Sequence, residues 1–121
     1  MATRFELVLV GDDPSHLRAA GEEAIREIER IATRFSFYDK RSELSSLNRQ
    51  ASVAPQRVTG DLFELLQMCS RVHDQTAGAF DPTIGPLMRT WSFAAESTLP
   101  SREDIQKAVS SVGWKHVRIN T

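Results

Sequence analysis

Cysteine occurs once in this chain, at Cys69, so no internal disulfide can form and no cysteine pair can hold a metal. Cys69 falls at the core-facing spacing of an expected helix, which favours an inert, buried thiol over a reactive one. Long apolar runs are missing as well. No stretch approaches the roughly 20 residues that a membrane helix needs, and the N-terminus lacks the charged-then-apolar layout of a secretory signal. As written, the chain reads as cytoplasmic. Fifteen basic against sixteen acidic side chains leave a net charge of -1, so no field favours a polyanion, and nucleic acid is an unsuitable partner. There is no His-x-x-x-His, no phosphate-binding P-loop and no G-x-G-x-x-G. The three histidines, His16, His73 and His116, lie in separate expected elements, and His16 and His73 read as surface residues at helix ends. What remains, 40% hydrophobic and 26% charged residues in a chain of 121, fits a soluble globular domain with one core.

Phe5 to Val10 alternates and then becomes continuously apolar ahead of Gly11-Asp12-Asp13-Pro14, which predicts a first strand. Asp13 as cap and Pro14 at the first helical position open a helix with Leu17, Ala20, Ala24, Ile28, Ile31 and Phe35 on one stripe. Its Glu and Arg residues occupy the solvated faces. From Ser36 to Arg57 the periodicity breaks. Ser42 to Asn48 fits a short helical turn, and Val53 to Val58 a short edge strand in which Pro55 is tolerated. Thr59 caps a second long helix through Leu62, Leu65, Leu66, Cys69 and Val72, with Gly78 as its stop. Leu87 to Trp91 fits another short turn. Ser101 and Asp104 resemble a capping box for a helix through Ile105, Ala108, Val109 and Val112 that stops at Gly113, and His116 to Asn120 alternates as a final strand. The expected class is α+β, with about three helices packed on a small, partly incomplete sheet.

The segment Thr76-Ala77-Gly78-Ala79-Phe80-Asp81-Pro82-Thr83-Ile84-Gly85-Pro86-Leu87 carries two glycines, two prolines and one carboxylate in twelve residues. Glycine permits positive φ and close backbone approach, and each proline restricts the residue before it. This predicts a rigid loop whose Phe80, Ile84 and Leu87 need something to pack against: a wall of a site or a buried connection. Asp81, fixed before a proline and beside Phe80, has two readings. It orients a ligand, or it hydrogen-bonds the backbone of its own turn. Tyr38 likewise either stacks on an aromatic ligand or sits in the core with its hydroxyl reaching water.

Met1-Ala2-Thr3-Arg4-Phe5-Glu6, the run Phe35-Ser36-Phe37-Tyr38-Asp39-Lys40-Arg41-Ser42-Glu43-Leu44-Ser45-Ser46-Leu47-Asn48, and Thr76 to Thr83 with Pro86-Leu87 together resemble the ApbE family. Trp91, the helix before Val112-Gly113 and the last segment follow in the same order. The family comprises FAD:protein FMN transferases, formerly described as thiamine biosynthesis lipoproteins, with a T-fold-like architecture. The resemblance implies a reaction in which a hydroxyl of an acceptor protein attacks the FMN phosphate of FAD and AMP leaves, with Mg2+ on the pyrophosphate. It places flavin contacts at Met1, Tyr38, Ala79, Phe80 and Asp81, names no catalytic residue, and places no metal ligand in this chain. Family members are much longer, with their metal ligands and further FAD contacts in a second half. This chain is therefore expected to be a single N-terminal region over 1–121, inactive by itself. The alternative is a noncatalytic flavin-binding or assembly module acting as a homo-oligomer. Lipoprotein relatives also imply a periplasmic or membrane-anchored location if a leader has been removed.

Overall fold

The computed structural model describes residues 4–91 and 99–120. The chain divides into two compact units, Met1–Val58 and Thr59–Thr121.

In the first unit, residues 4–13 precede a 21-residue helix α1, Pro14–Arg34. Asp13 caps it as its spacing predicts: the carboxylate accepts from the amides of Ser15 and His16 at 2.9 and 3.2 Å, satisfying two amides that the helix start leaves open, while Pro14 has none to satisfy. The inward stripe includes Leu17, Ala24, Ile28 and Phe35, with Gly21 buried among them and Ile31 partly exposed. A Cβ on Gly21 would lie 2.9 Å from Cδ1 of Leu9, so the preceding segment packs tightly on the helix at that point. The expected short turn at Ser42 is a full helix, α2, Glu43–Gln50. Its cap is Ser42, whose hydroxyl oxygen accepts from the Ser45 amide at 3.0 Å. Arg34 reaches back to pair with Glu43 at 2.9 Å, joining the end of α1 to the start of α2.

In the second unit, α3 (Gly60–Gln75) carries Leu62, which is fully buried. The helix α4 (Gly85–Trp91) packs on α5 (Arg102–Ser110), whose Ala108 is also buried. Ser101 accepts from the Asp104 amide at 3.1 Å and donates to its carboxylate at 2.6 Å, close to the expected capping box. A single 3-10 turn, Trp114–His116, follows.

The α+β expectation is overturned: five helices and a 3-10 turn are present, and among the described residues there is no strand. Phe5–Val10, Val53–Val58 and His116–Asn120, the three expected strands, pair with nothing there. The first of them stands open, with Val8 and Val10 81% and 92% exposed, and Val53 of the second is 86% exposed. The third is taken over at its start by the 3-10 turn. Alternation specifies which face a strand would bury, but a strand exists only when another chain segment takes up its amides and carbonyls.

Candidate functional site

The loop after α3 is built from the last turn of that helix. Gly78 donates to the carbonyl of His73 at 2.9 Å and Ala77 to that of Asp74 at 3.1 Å, the paired bonds of a Schellman C-cap. The left-handed position in this motif belongs to Ala77, at φ 50°, with Gly78 following at φ 83°. The helix therefore turns one residue before the glycine that the sequence marks as its stop.

Phe80 is then pinned through both of its backbone groups. Its amide donates to Oγ1 of Thr76 at 3.0 Å, while the Thr76 hydroxyl itself reaches the Val72 carbonyl at 2.8 Å. Its carbonyl takes a bond from Nδ1 of His73 at 2.9 Å, which puts a proton on that ring nitrogen. The Phe80 side chain remains 40% exposed. A backbone held this firmly, with its aromatic side chain turned partly outward, makes a rigid platform.

Asp81 is tied into the next turn. Its Oδ1 accepts from the Thr83 amide at 2.8 Å and from the Thr83 hydroxyl at 2.6 Å, so the local-turn reading of this carboxylate holds. Burial pulls the Asp81 carboxyl upward, but the Thr83 hydroxyl and amide, the nearby His73 ring and the Trp114 amide outweigh it and hold the group below the usual carboxylate range. The same Thr83 hydroxyl accepts from the Gly113 amide at 2.7 Å, across thirty residues of sequence. Next to it, the Trp114 indole donates to Oγ of Ser70 at 3.1 Å, and its ring lies 6.1 Å from that of His73. The end of α3, the loop and the segment after α5 thus form one bonded assembly. Cys69, one turn before His73, is half-buried, and burial pushes its thiol up, as suits an unreactive group.

Tyr38 belongs to the first unit. Its ring is 76% exposed and meets Phe37 edge-on at 5.2 Å, so it is not a core aromatic. Serine hydroxyls hold the segment that carries it. The Ser36 carbonyl accepts from Ser42 and from Ser45, at 3.1 Å from the latter, and the Phe37 carbonyl accepts from Ser45 at 3.2 Å. Ser36 in turn accepts from the Tyr38 and Asp39 amides at 3.2 and 3.1 Å. Ser42 and Ser45 are buried, so the bonds that they donate to the Ser36 and Phe37 carbonyls are partly shielded from water.

Of the five candidate contacts, Ala79, Phe80 and Asp81 stand together in one loop, Tyr38 lies in the other unit, and Met1 falls outside the described residues. Sequence reasoning missed His73, Thr76, Thr83 and Trp114 as the parts that hold the loop. The Asp-x-Thr spacing was a readable signal for Thr83. His73 and Trp114 had none, because they meet only through the fold. Two shallow depressions, one lined by Arg26, Glu29, Arg30, Thr33 and Arg34 and the other by Phe63, Gln67, Ser70, Arg71 and Ile119, include none of the candidate contacts. Among the described residues no group of three or more His, Cys, Asp or Glu side chains comes together, so these residues do not by themselves fit a magnesium site.

The model of the ApbE family matches residues 1–121. Similar curated proteins include the FAD:protein FMN transferases of Chlamydia pneumoniae, 27% identical over 98% of this chain, and of Haemophilus influenzae, 30% identical over 90%. The crystal structure of the ApbE protein from Thermotoga maritima aligns with a TM-score of 0.74 at 31% identity over 86% of the chain. The flavin transferase ApbE of Vibrio cholerae aligns with a TM-score of 0.75 at 29% identity over 91%. The chain spans 39% and 34% of the length of the two curated relatives, and 34% and 36% of the two solved chains. With its whole length matched by the family model and its fold shared with two family structures, the chain belongs to the ApbE family.

Proposed function

We propose that this chain supplies part of the FAD site of a protein FMN transferase, with Ala79, Phe80 and Asp81 as one wall and Tyr38 and Met1 as further flavin contacts. The observation that carries the reading is the loop itself: within a chain matched to the family throughout, its backbone is fixed from α3 while Phe80 and Asp81 are presented for contact. Phe80 offers exposed aromatic surface to a flat ring system, and Asp81 beside it offers a carboxylate of fixed aim. In the reaction, an acceptor threonine or serine hydroxyl forms a new bond to the FMN phosphorus, the pyrophosphate bond breaks, and AMP leaves. The metal that this chemistry uses in the family, Mg2+, is assigned no residue here, and the part played by these residues is to bind and orient the flavin end of FAD.

Titrating FAD into the protein and following quenching of flavin fluorescence tests the reading. Saturable binding is expected, weakened about tenfold by Asp81→Ala, the loss of one hydrogen bond to a charged group. Unchanged affinity in that variant would remove Asp81 from the site. The second reading, an oligomeric noncatalytic module, draws on the exposed apolar run Phe5–Val10. Sedimentation separates the two: a stable flavin-bearing dimer without transfer activity would favour the module.

A further inference from the structure

The Asp81 carboxylate is aimed by something outside its own turn. An Asp two residues before a Thr ordinarily makes a local turn and nothing else, and such a turn can pivot as a unit. Here the Thr83 hydroxyl does two jobs at once: it donates to Oδ1 of Asp81 at 2.6 Å and accepts from the Gly113 amide at 2.7 Å. Gly113 is itself constrained. Its φ of 130° lies where glycine is favoured, and it sits between the C-cap of α5 and the 3-10 turn of Trp114–His116. Trp114 follows at once, its indole bonded to Ser70 on α3. The amide that Thr83 accepts from is therefore anchored on both sides, and the hydroxyl carries that anchoring to the carboxylate.

We propose that Thr83 is a positioning residue for flavin binding, its hydroxyl fixing the aim of the Asp81 carboxylate by tying it to the Gly113 amide. The proposal rests on the reading above that Asp81 contacts flavin. A methyl in place of the hydroxyl keeps the shape of the side chain but removes both bonds, leaving the carboxylate with the Thr83 and Trp114 amides and without its tie to Gly113. Serine keeps both bonds.

The test is FAD affinity, by fluorescence titration, in Thr83→Val, Thr83→Ser and Asp81→Ala, and in the double variant of Asp81→Ala with Thr83→Val. Thr83→Val is expected to weaken binding about tenfold and Thr83→Ser to stay within about twofold of the unaltered chain. In the Asp81→Ala background, Thr83→Val should cost nothing more, because the group it aims is gone. An equal loss from Thr83→Val in both backgrounds would show a merely structural role and overturn the proposal. So would unchanged affinity in Thr83→Val, with the reading of Asp81 as a flavin contact left standing. Absence of saturable FAD binding to the unaltered chain would instead overturn that reading, and the proposal with it. A measurement on the unaltered chain covers the case in which Thr83→Val does not fold. The NMR signals of the Gly113 amide and the Asp81 carboxyl carbon should move together as FAD is added. Movement at Asp81 with none at Gly113 would overturn the proposal.

Discussion

Asp81 and Ala77 have local environments with measurable consequences. The folded-state pKa of Asp81 lies below its ordinary value of about 3.9, so its contribution to stability is present above that value and is lost as pH falls through the lowered one. Asp39, held down chiefly by the Arg41 amide, acts in the same direction. Asp81→Asn keeps an acceptor for the Thr83 amide but cannot titrate. Urea unfolding midpoints at pH 6 and pH 3 should therefore fall less between the two for Asp81→Asn than for the unaltered chain, and an equal fall would contradict the assignment. Ala77 occupies a left-handed position that costs an L-residue about 1 kcal/mol, whereas glycine there costs some unfolded-state entropy in return. The first effect exceeds the second where φ is positive. Ala77→Gly is expected to stabilise the protein by roughly 0.5 kcal/mol, read as a higher urea midpoint at unchanged slope.

Among the helices, α1 offers a case in which two effects oppose each other. Gly21 lies mid-helix, where alanine is better by about 1 kcal/mol, yet its new Cβ would meet Leu9 Cδ1 at 2.9 Å. That atom is the far end of a flexible side chain already 44% exposed, so it can swing aside at little cost. Gly21→Ala should stabilise by about 0.5 kcal/mol in chemical unfolding, and a clear loss would mean that the contact with Leu9 is stiffer than its exposure implies. Helix ends were the most legible elements in the sequence. Asp13 with Pro14 and Ser101 with Asp104 stand where their spacing put them, because a cap is a contact between neighbours in the chain. The full length of α2 was less legible. Part of what holds it is the Arg34 pair and the Ser42 bond to the Ser36 carbonyl, which come from outside the helix.

For the whole chain, flavin binding and flavin transfer are separate questions. The described residues bring together no group of three or more His, Cys, Asp or Glu side chains that could hold magnesium. Incubated with FAD, Mg2+ and a threonine-bearing acceptor, the 121-residue polypeptide is expected to leave the acceptor without the yellow-green fluorescence of bound flavin. Clear labelling would show that the residues named here suffice for phosphoryl transfer. The same scale is where the expectation of a sheet failed. The apolar runs at Phe5–Val10, Val53–Val58 and His116–Asn120 have strand-like patterns, yet each lacks a partner among the described residues, and pairing is a nonlocal event that a pattern cannot supply.

The exposure of Phe80 came from the structure, whereas the amino-acid order by itself determined the family, the starts of the long helices, and the constrained loop from Thr76 to Leu87 with its carboxylate. Each of these depends on residues a few positions apart, or on motifs in a fixed order. Only the tertiary structure decided that His73 holds Phe80 and that the Trp114 ring lies near that of His73. It also decided that the Thr83 hydroxyl joins Asp81 to Gly113. These contacts join the end of α3 and its loop to the segment after α5. Their energies depend on distances that chain folding sets, and no local spacing encodes them.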